Sequence, residues 1–211
     1  ARLIEQVTAR RPIDPKRVYV AGMSAGAAMA SILALRHSRL FAACAFHSGV
    51  MCGAASSLMQ AVEVMRSGPS AAGILRARQL VSDAGESVGL VPALVIHGDS
   101  DTTVNPVNAD AIIGQFKARA EFIDPTAHAL PASDERRIVG ASRAYRQQDY
   151  VGHGRVVLRR VLVEGLGHAW SGGDPRHEFN DADGPDASRL ILDFVMQYER
   201  ELRPIAVARA G

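Results

Sequence analysis

Short apolar runs alternate with helix-like patterns along this chain, and this alternation constrains the fold more than any other feature. Four runs have the length and flanking turn residues of buried strands, at residues 17–21, 41–46, 93–97 and 156–163. Three segments have helical spacing, at residues 25–36, 107–119 and 187–202. Strands that alternate with helices in this way predict an α/β fold, with a mostly parallel sheet and helices on both faces.

The remaining segments refine this prediction. The fourth strand is expected to form a hairpin with residues 142–150, and residues 121–140 are interpreted as irregular and polar. Residues from about 54 to 90 are interpreted as a helical insertion between two strands, over the site. The last helix carries an apolar stripe that predicts a core contact, formed by Ile191, Phe194, Val195, Tyr198 and Leu202.

Composition excludes several classes of protein. The 211 residues are 47% hydrophobic and 22% charged, and 24 basic side chains nearly balance 22 acidic ones, which excludes disorder as the main state. The net charge of +2 is not clustered, so no nucleic-acid partner and no anionic lipid surface is indicated. Residues 18–35 and 40–62 lack charge, but their Gly, Ser and His content is too polar for a span, and no membrane partner is expected.

Cys44 and Cys52 are the only cysteines. Their spacing fits no zinc or redox motif, and two buried free thiols are favoured over a local disulfide because free Cys behaves as a small apolar residue. No metal or organic cofactor is implied by the sequence.

A Gly-Met-Ser-Ala-Gly segment links the first strand directly to an alanine-rich helix. This context predicts a nucleophile elbow, in which Ser24 sits on a strained turn with its hydroxyl above the sheet. Gly22 and Gly26 are expected to leave room for the strand and helix to approach. The backbone N–H of Ala25 is then placed to donate to an oxyanion at the start of the helix.

A nucleophilic serine needs a base and an orienting acid, which follow in the order Ser, Asp or Glu, His in α/β-hydrolases. The loop after the third strand offers two carboxylates, Asp99 and Asp101, and the loop after the fourth strand offers His168. Most of the other six histidines have better structural explanations, and His177 is the weaker rival for the base.

Five segments in order resemble the esterase family named for poly(3-hydroxybutyrate) depolymerase, which includes feruloyl and acetylxylan esterase relatives. They are VAGMSAGAAM at residues 20–29, FHSG at 46–49, HGDSDTTVNP at 97–106, GHAWSGG at 167–173 and GPDAS at 184–188. The family pattern His-Gly-x-x-Asp-x-x-Val implies that Asp101, and not Asp99, is the acid. The resemblance also implies substrate contacts for Trp170, and we assign His47 and Ser48 to the same surface.

The resemblance implies a secreted, extracellular serine esterase with the α/β-hydrolase fold in a single catalytic domain over residues 1–211. The substrate is expected to be a short-chain polyhydroxyalkanoate polyester or its oligomers. The alternatives are feruloyl or acetyl esters of plant polysaccharide, or a non-catalytic fragment. The family's earlier strands and the loop with its second oxyanion donor have no counterpart here. We therefore expect these residues to be the C-terminal part of a larger domain, with its N-terminal strands missing.

Overall fold

The computed structural model describes residues 2–83, 89–124, 130–140 and 142–200. The strands are β1 (Tyr19–Met23), β2 (Ala43–His47), β3 (Ala93–Gly98), β4 (Arg136–Ile138), β5 (Tyr145–Gly152), β6 (Arg155–Val163), β7 (Trp170–Ser171) and β8 (Asn180–Asp181). The helices are α1 (Arg2–Thr8), α2 (Ala25–Arg36), α3 (Leu58–Ser67), α4 (Ala71–Asp83), α5 (Val107–Ile123) and α6 (Ala187–Val195).

Six strands form one mixed sheet in the order β1-β2-β3-β6-β5-β4. The four strands β1, β2, β3 and β6 are parallel, whereas β5 and β4 continue the sheet in antiparallel pairing. The predicted hairpin is confirmed as β5 and β6, whose connecting residues His153 and Gly154 both have positive φ, as a tight primed turn requires. The strands β7 and β8 form a separate small parallel pair.

The central strands are apolar on both faces, which is what a covered parallel sheet requires. Every residue of β2 and β3 is buried. Phe46 and Val95 face a core shared with α2, α4 and α5, while Ala45 and Leu94 face a second core formed with α6. The prediction of helices on both faces is therefore confirmed.

Several predicted boundaries shift. The first strand lies two residues later than expected, and α5 continues to Ile123 because Ala120 still packs in the core. The insertion contains α3 and α4, the first of which begins where the Ser57 hydroxyl accepts from the Gln60 N–H. The short strand β4 lies inside the segment expected to be irregular.

The apolar stripe of the last helix is confirmed as core for Ile191, Phe194, Val195 and Tyr198. The helix itself ends at Val195 and gives way to a turn, in which the Tyr198 N–H donates to the Val195 carbonyl at 3.1 Å. The predicted end of the stripe, Leu202, lies outside the described residues, as does His128. Cys44 and Cys52 are free and buried, as predicted.

Candidate active site

Four loops meet at the carboxyl edge of the sheet, where open α/β sheets build their sites. Ser24 follows β1 directly, His47 ends β2, Asp101 lies three residues beyond β3, and His168 lies five residues beyond β6. Because these strands are neighbours and parallel, the loops that follow them leave the sheet on the same side. The structure thus brings the sequence-predicted residues to one edge.

Ser24 occupies a strained turn between β1 and α2, with φ 53° and ψ −119°. L residues rarely adopt positive φ, and such strain concentrates at functional sites. A Cβ atom at Gly22 would lie 2.3 Å from the carbonyl of Gly26, so the first glycine is required for close packing. The expectation for Gly26 is wrong, because a Cβ atom there meets no described atom within 4 Å.

Ala25 is the first residue of α2, and the first N–H groups of a helix have no carbonyl partner within it. These groups point out of the helix start, next to the Ser24 turn. The arrangement can therefore supply one N–H donor to a negative oxygen that forms on a substrate attacked by Ser24.

Asp101 and His168 are joined by a hydrogen bond, with 2.8 Å between the carboxylate Oδ2 and the ring Nδ1. The Asp101 side chain is completely buried and that of His168 is 11% exposed. The other carboxylate oxygen accepts from the backbone N–H groups of Thr103 and Val104, at 2.9 and 2.8 Å. These bonds fix the carboxylate, which in turn selects the imidazole tautomer with its proton on Nδ1 and a free lone pair on Nε2.

His97 is a second partner of Asp101 that the sequence interpretation missed. Its Nε2 lies 2.8 Å from the Val104 carbonyl and 3.5 Å from the Asp101 carboxylate, so this nitrogen carries the proton. Burial alone would raise the pKa of Asp101, but hydrogen bonds from His97, the Val104 N–H and His168 outweigh it and lower the pKa. Asp101 is therefore ionised at any ordinary working pH.

Asp99, the competing carboxylate, has a different place in the structure. One of its oxygens accepts from the Gly165 N–H at 2.8 Å and from the Ser100 hydroxyl at 3.1 Å. The other lies 3.6 Å from the Arg146 guanidinium. Asp99 thus caps the turn that follows β6, where Gly165 has φ 69°, and it supports the His168 loop from the outside.

The substrate contacts expected for His47 and Ser48 need correction, since both residues have 0% exposure. The His47 Nδ1 lies 3.1 Å from the Ser48 hydroxyl, and its Nε2 accepts from the Ser171 N–H at 3.3 Å. Burial, which disfavours the charged imidazolium, lowers the pKa of His47 to about 3. This ring is a neutral structural link beneath the site.

The backbone of His47 completes the link. Its carbonyl accepts from the Ser24 N–H at 2.9 Å, while its ring holds the Ser171 N–H in the loop that carries His168. One residue therefore contacts both the serine turn and the histidine loop. The motif alone could not indicate this, because the ring's partner lies 124 residues further along the chain.

Trp170 is partly buried and stacks on His47, with ring centroids 5.1 Å apart and an interplanar angle of 20°. Its indole N–H donates to the Ser188 hydroxyl at 3.3 Å. Its substrate contact stays a prediction. The rival base, His177, lies exposed in the loop between β7 and β8. A different residue of this loop, Phe179, contacts the ring of His168, and no sequence motif indicated this contact.

Two broader properties bear on the site. Among the described residues, no group of three or more His, Cys, Asp or Glu side chains is placed to hold a metal ion. Within the same ranges, no helix is long and apolar enough to cross a membrane.

The sheet order and the strand-end site define an α/β-hydrolase fold, and solved structures agree. An acetyl xylan esterase from Aspergillus awamori superposes with a TM-score of 0.64 at 16% identity, covering 92% of this chain and 64% of that one. A PHB depolymerase complexed with an R3HB trimer superposes with a TM-score of 0.60 at 17% identity, and the match covers 87% of this chain and 52% of that one. The PHB depolymerase from Penicillium funiculosum superposes with a TM-score of 0.58 at 18% identity, and the match covers 84% of this chain and 50% of that one.

The family described as Esterase PHB depolymerase matches residues 1–140, and the chain belongs to it. Poly(3-hydroxyalkanoate) depolymerase C of Paucimonas lemoignei is 37% identical over 120 residues, which are 54% of this chain and 28% of that protein. A probable acetylxylan esterase A of Neosartorya fischeri is 27% identical over 114 residues, which are 51% of this chain and 31% of that protein. The matches thus span less than a third of either relative.

Proposed function

We propose that this protein is a serine esterase that hydrolyses carboxylic esters through Ser24, His168 and Asp101. The observation that carries the proposal is the 2.8 Å hydrogen bond between Asp101 and His168, set at the same sheet edge as the strained Ser24 turn. A buried acid that orients an imidazole, at the same sheet edge as a serine on a strained turn, is the arrangement from which a hydroxyl is activated for attack on an acyl carbon.

In the proposed reaction, the Ser24 Oγ attacks the ester carbon while His168 Nε2 takes its proton. The negative oxygen that forms accepts from the Ala25 N–H. His168 then returns the proton to the leaving alcohol, which leaves an acyl-enzyme. Water, activated by the same imidazole, releases the acid, and Asp101 stabilises the imidazolium at both steps.

We propose short-chain polyhydroxyalkanoate polyesters or their oligomers as substrates. Support comes from family membership and from the 37% identity to a depolymerase, against 27% to a probable acetylxylan esterase. The acetylxylan relative and the acetyl xylan esterase fold keep acetyl or feruloyl polysaccharide esters as the second candidate. By the same resemblance we propose secretion to the cell exterior.

Release of p-nitrophenol from p-nitrophenyl butyrate tests the esterase proposal. Wild type is expected to release it, and Ser24→Ala and His168→Ala each to remove nearly all activity, with no further loss in the double variant because the two residues act as one unit. Circular dichroism of each variant reports folding. No turnover by wild type would favour a binding module that kept the serine turn, and a tenth of wild-type activity in Ser24→Ala would contradict the triad.

The acyl group and the polymer are tested separately. A series of p-nitrophenyl esters from C2 to C16 is expected to give its best kcat/KM among the short acids. An optimum at C12 or longer would contradict the substrate proposal. Clearing of a poly(3-hydroxybutyrate) suspension, compared with release of acetate from acetylated xylan and of ferulate from its methyl ester, separates the two candidate substrate classes.

We also propose that this sheet belongs to a larger catalytic domain. In the described part of the chain β1 pairs only with β2, and Ala21 at its centre is exposed although β2 and β3 are fully buried. The neighbouring helix α2 has Arg36 as its one charged residue, yet Met29 and Ile32 remain 55% and 36% exposed. A helix that is apolar all round is usually covered, and an unpaired strand edge invites a further strand.

A further inference from the structure

Phe179 has an unusual conformation for a bulky residue. Its φ is 58°, in the left-handed region that L residues with large side chains avoid, and its side chain is left 65% exposed in the described structure. Phe179 lies in the turn that leads into β8, and its side chain is not buried in a core. Strained residues of this kind cluster at functional sites, where they present a side chain to a ligand.

The surrounding loop holds Phe179 on both sides. Its carbonyl accepts from the Trp170 N–H at 2.6 Å, and the next residue, Asn180, pairs with Trp170 in the β7–β8 pair. The Asn180 amide donates back to the Glu178 carbonyl at 3.0 Å, and a Cβ atom at Gly173 would lie 2.0 Å from the Asn180 Oδ1. The strained residue is therefore fixed by its neighbours and does not owe its position to its own packing.

The ring of Phe179 lies against the proposed base. Its centroid is 6.3 Å from that of His168, with an interplanar angle of 79°, so one ring meets the other edge-on. The Nδ1 of His168 is already bonded to Asp101. The remaining nitrogen of that imidazole is the atom that would return a proton to the leaving alcohol. An exposed ring that packs against the same imidazole is therefore within reach of the leaving group.

We propose that Phe179 is a specificity-determining residue that provides an apolar contact for the alcohol part of the ester. The proposal rests on the proposed esterase function and adds a preference among the alcohols of the ester, which the triad alone cannot supply. Esters of apolar alcohols would cover the exposed face of the ring, whereas a methyl ester would leave it in water. For a polyester, this contact would fall on the chain that leaves as the alcohol.

A purely positioning role for Phe179 makes a different prediction. If the ring only steadied His168, its removal would slow proton transfer for every ester, and kcat would fall by the same factor whatever the alcohol. If the ring binds the alcohol, its removal lowers kcat/KM in proportion to the apolar surface of that alcohol, and the loss appears chiefly in KM.

The experiment uses two series of esters, one of butyric acid with methanol, ethanol and butanol, the other of methanol with acetic, butyric and hexanoic acids. Phe179→Ala is expected to lower kcat/KM for butyl butyrate about 10-fold more than for methyl butyrate. Phe179→Leu should lose less, because an apolar side chain remains. The relative rates within the acid series should stay as in wild type.

Phe179→Gly is a variant that should fold, because glycine adopts φ 58° without strain. The midpoint of its urea unfolding should equal or exceed that of wild type. It should show the same dependence on the alcohol as Phe179→Ala. Leu192→Ala, which truncates an exposed apolar side chain on α6, should change neither series. Equal losses for all alcohols would overturn the Phe179 proposal alone, whereas a wild type that hydrolyses no ester would overturn the esterase proposal as well.

Discussion

The Nε2 atom of His47 lies 3.3 Å from the backbone nitrogen of Ser171, three residues beyond His168, and the same His47 accepts the Ser24 N–H through its carbonyl. Both His47 and Ser171 are completely buried. The contact therefore connects the two loops on which the proposed nucleophile and base lie. The distance between these loops depends on a ring that touches no solvent.

We expect His47→Phe to lower kcat by about 10²-fold with little change in KM, because small misplacement of a catalytic group has costs of that size. The aromatic ring preserves the stacking on Trp170 but leaves the buried Ser171 N–H without an acceptor, which also destabilises the fold by roughly 1–3 kcal/mol. Steady-state kinetics and urea unfolding measure the two effects.

Partial rescue should come from His47→Gln, whose side-chain oxygen can accept from the Ser171 N–H. The exposed His37 serves as the matched control, and His37→Phe should leave both kcat and stability close to wild type. A His47→Phe enzyme with wild-type kcat would show that the link between the loops does not set their catalytic geometry.

We expect the protonation of His47 to make the free energy of unfolding depend on pH. Its pKa in the folded state is about 3, against about 6.5 in an unfolded chain. Between those values the unfolded chain binds a proton that the folded protein does not, so the free energy of unfolding falls as the pH falls. The slope from this group is at most about 1.4 kcal/mol per pH unit.

Above about pH 4, Asp101 makes little contribution to the pH slope of the free energy of unfolding. Its pKa is lowered in the folded state, so its contribution is present above the unfolded value of about 3.9 and is lost only as the pH falls further. Urea unfolding of wild type and His47→Gln between pH 4 and 6.5 is expected to give a shallower pH slope for the variant. Coinciding slopes would mean that His47 is not held neutral by the fold.

Asp101→Asn is expected to lower kcat by orders of magnitude, about 10⁴-fold in the serine-protease precedent. The Asn side chain can still accept from the Thr103 and Val104 N–H groups through one atom, which turns its NH₂ group toward His168. Two donors then face each other, and the imidazole must adopt the tautomer that has no lone pair on Nε2.

Asp99→Asn should be mild, because an amide oxygen can still accept from the Gly165 N–H. Kinetics of the two variants with one ester, together with circular dichroism, give the comparison. The reverse ranking of the two variants would move the acid to Asp99.

Patterns of neighbouring residues predicted most helices and strands and the loops that carry the proposed site residues. The bounds of α2 followed from the alanine-rich segment after Ser24, and the order of serine, acid and histidine followed from the strand-end loops. Contacts across the sheet could not be predicted in this way. His47 looks like a site residue in FHSG, but its burial depends on Trp170 and Ser171, and nothing in the residues around Phe179 indicates positive φ at a phenylalanine.

The final prediction concerns the open edge of β1 and the exposed face of α2. If the sheet continues past β1, a longer chain that adds strands at this edge should be more stable and more active than these 211 residues. A second oxyanion donor on the added part would raise kcat by about 10² to 10³. The measurements are kcat/KM, the urea midpoint and the mass in solution of both chains.

Met29→Lys tests the exposed face of α2 directly, because the Met29 side chain is 55% exposed in the described structure. In the 211-residue chain the substitution should change stability by no more than about 0.5 kcal/mol, as at an ordinary surface position. In the longer chain it would bury an unpaired charge and should destabilise the fold by several kcal/mol. Leu192→Lys, at a site 52% exposed on α6 across the sheet, should be mild in both chains. A monodisperse 211-residue monomer with full activity, and a mild Met29→Lys in the longer chain, would show that this face is ordinary surface.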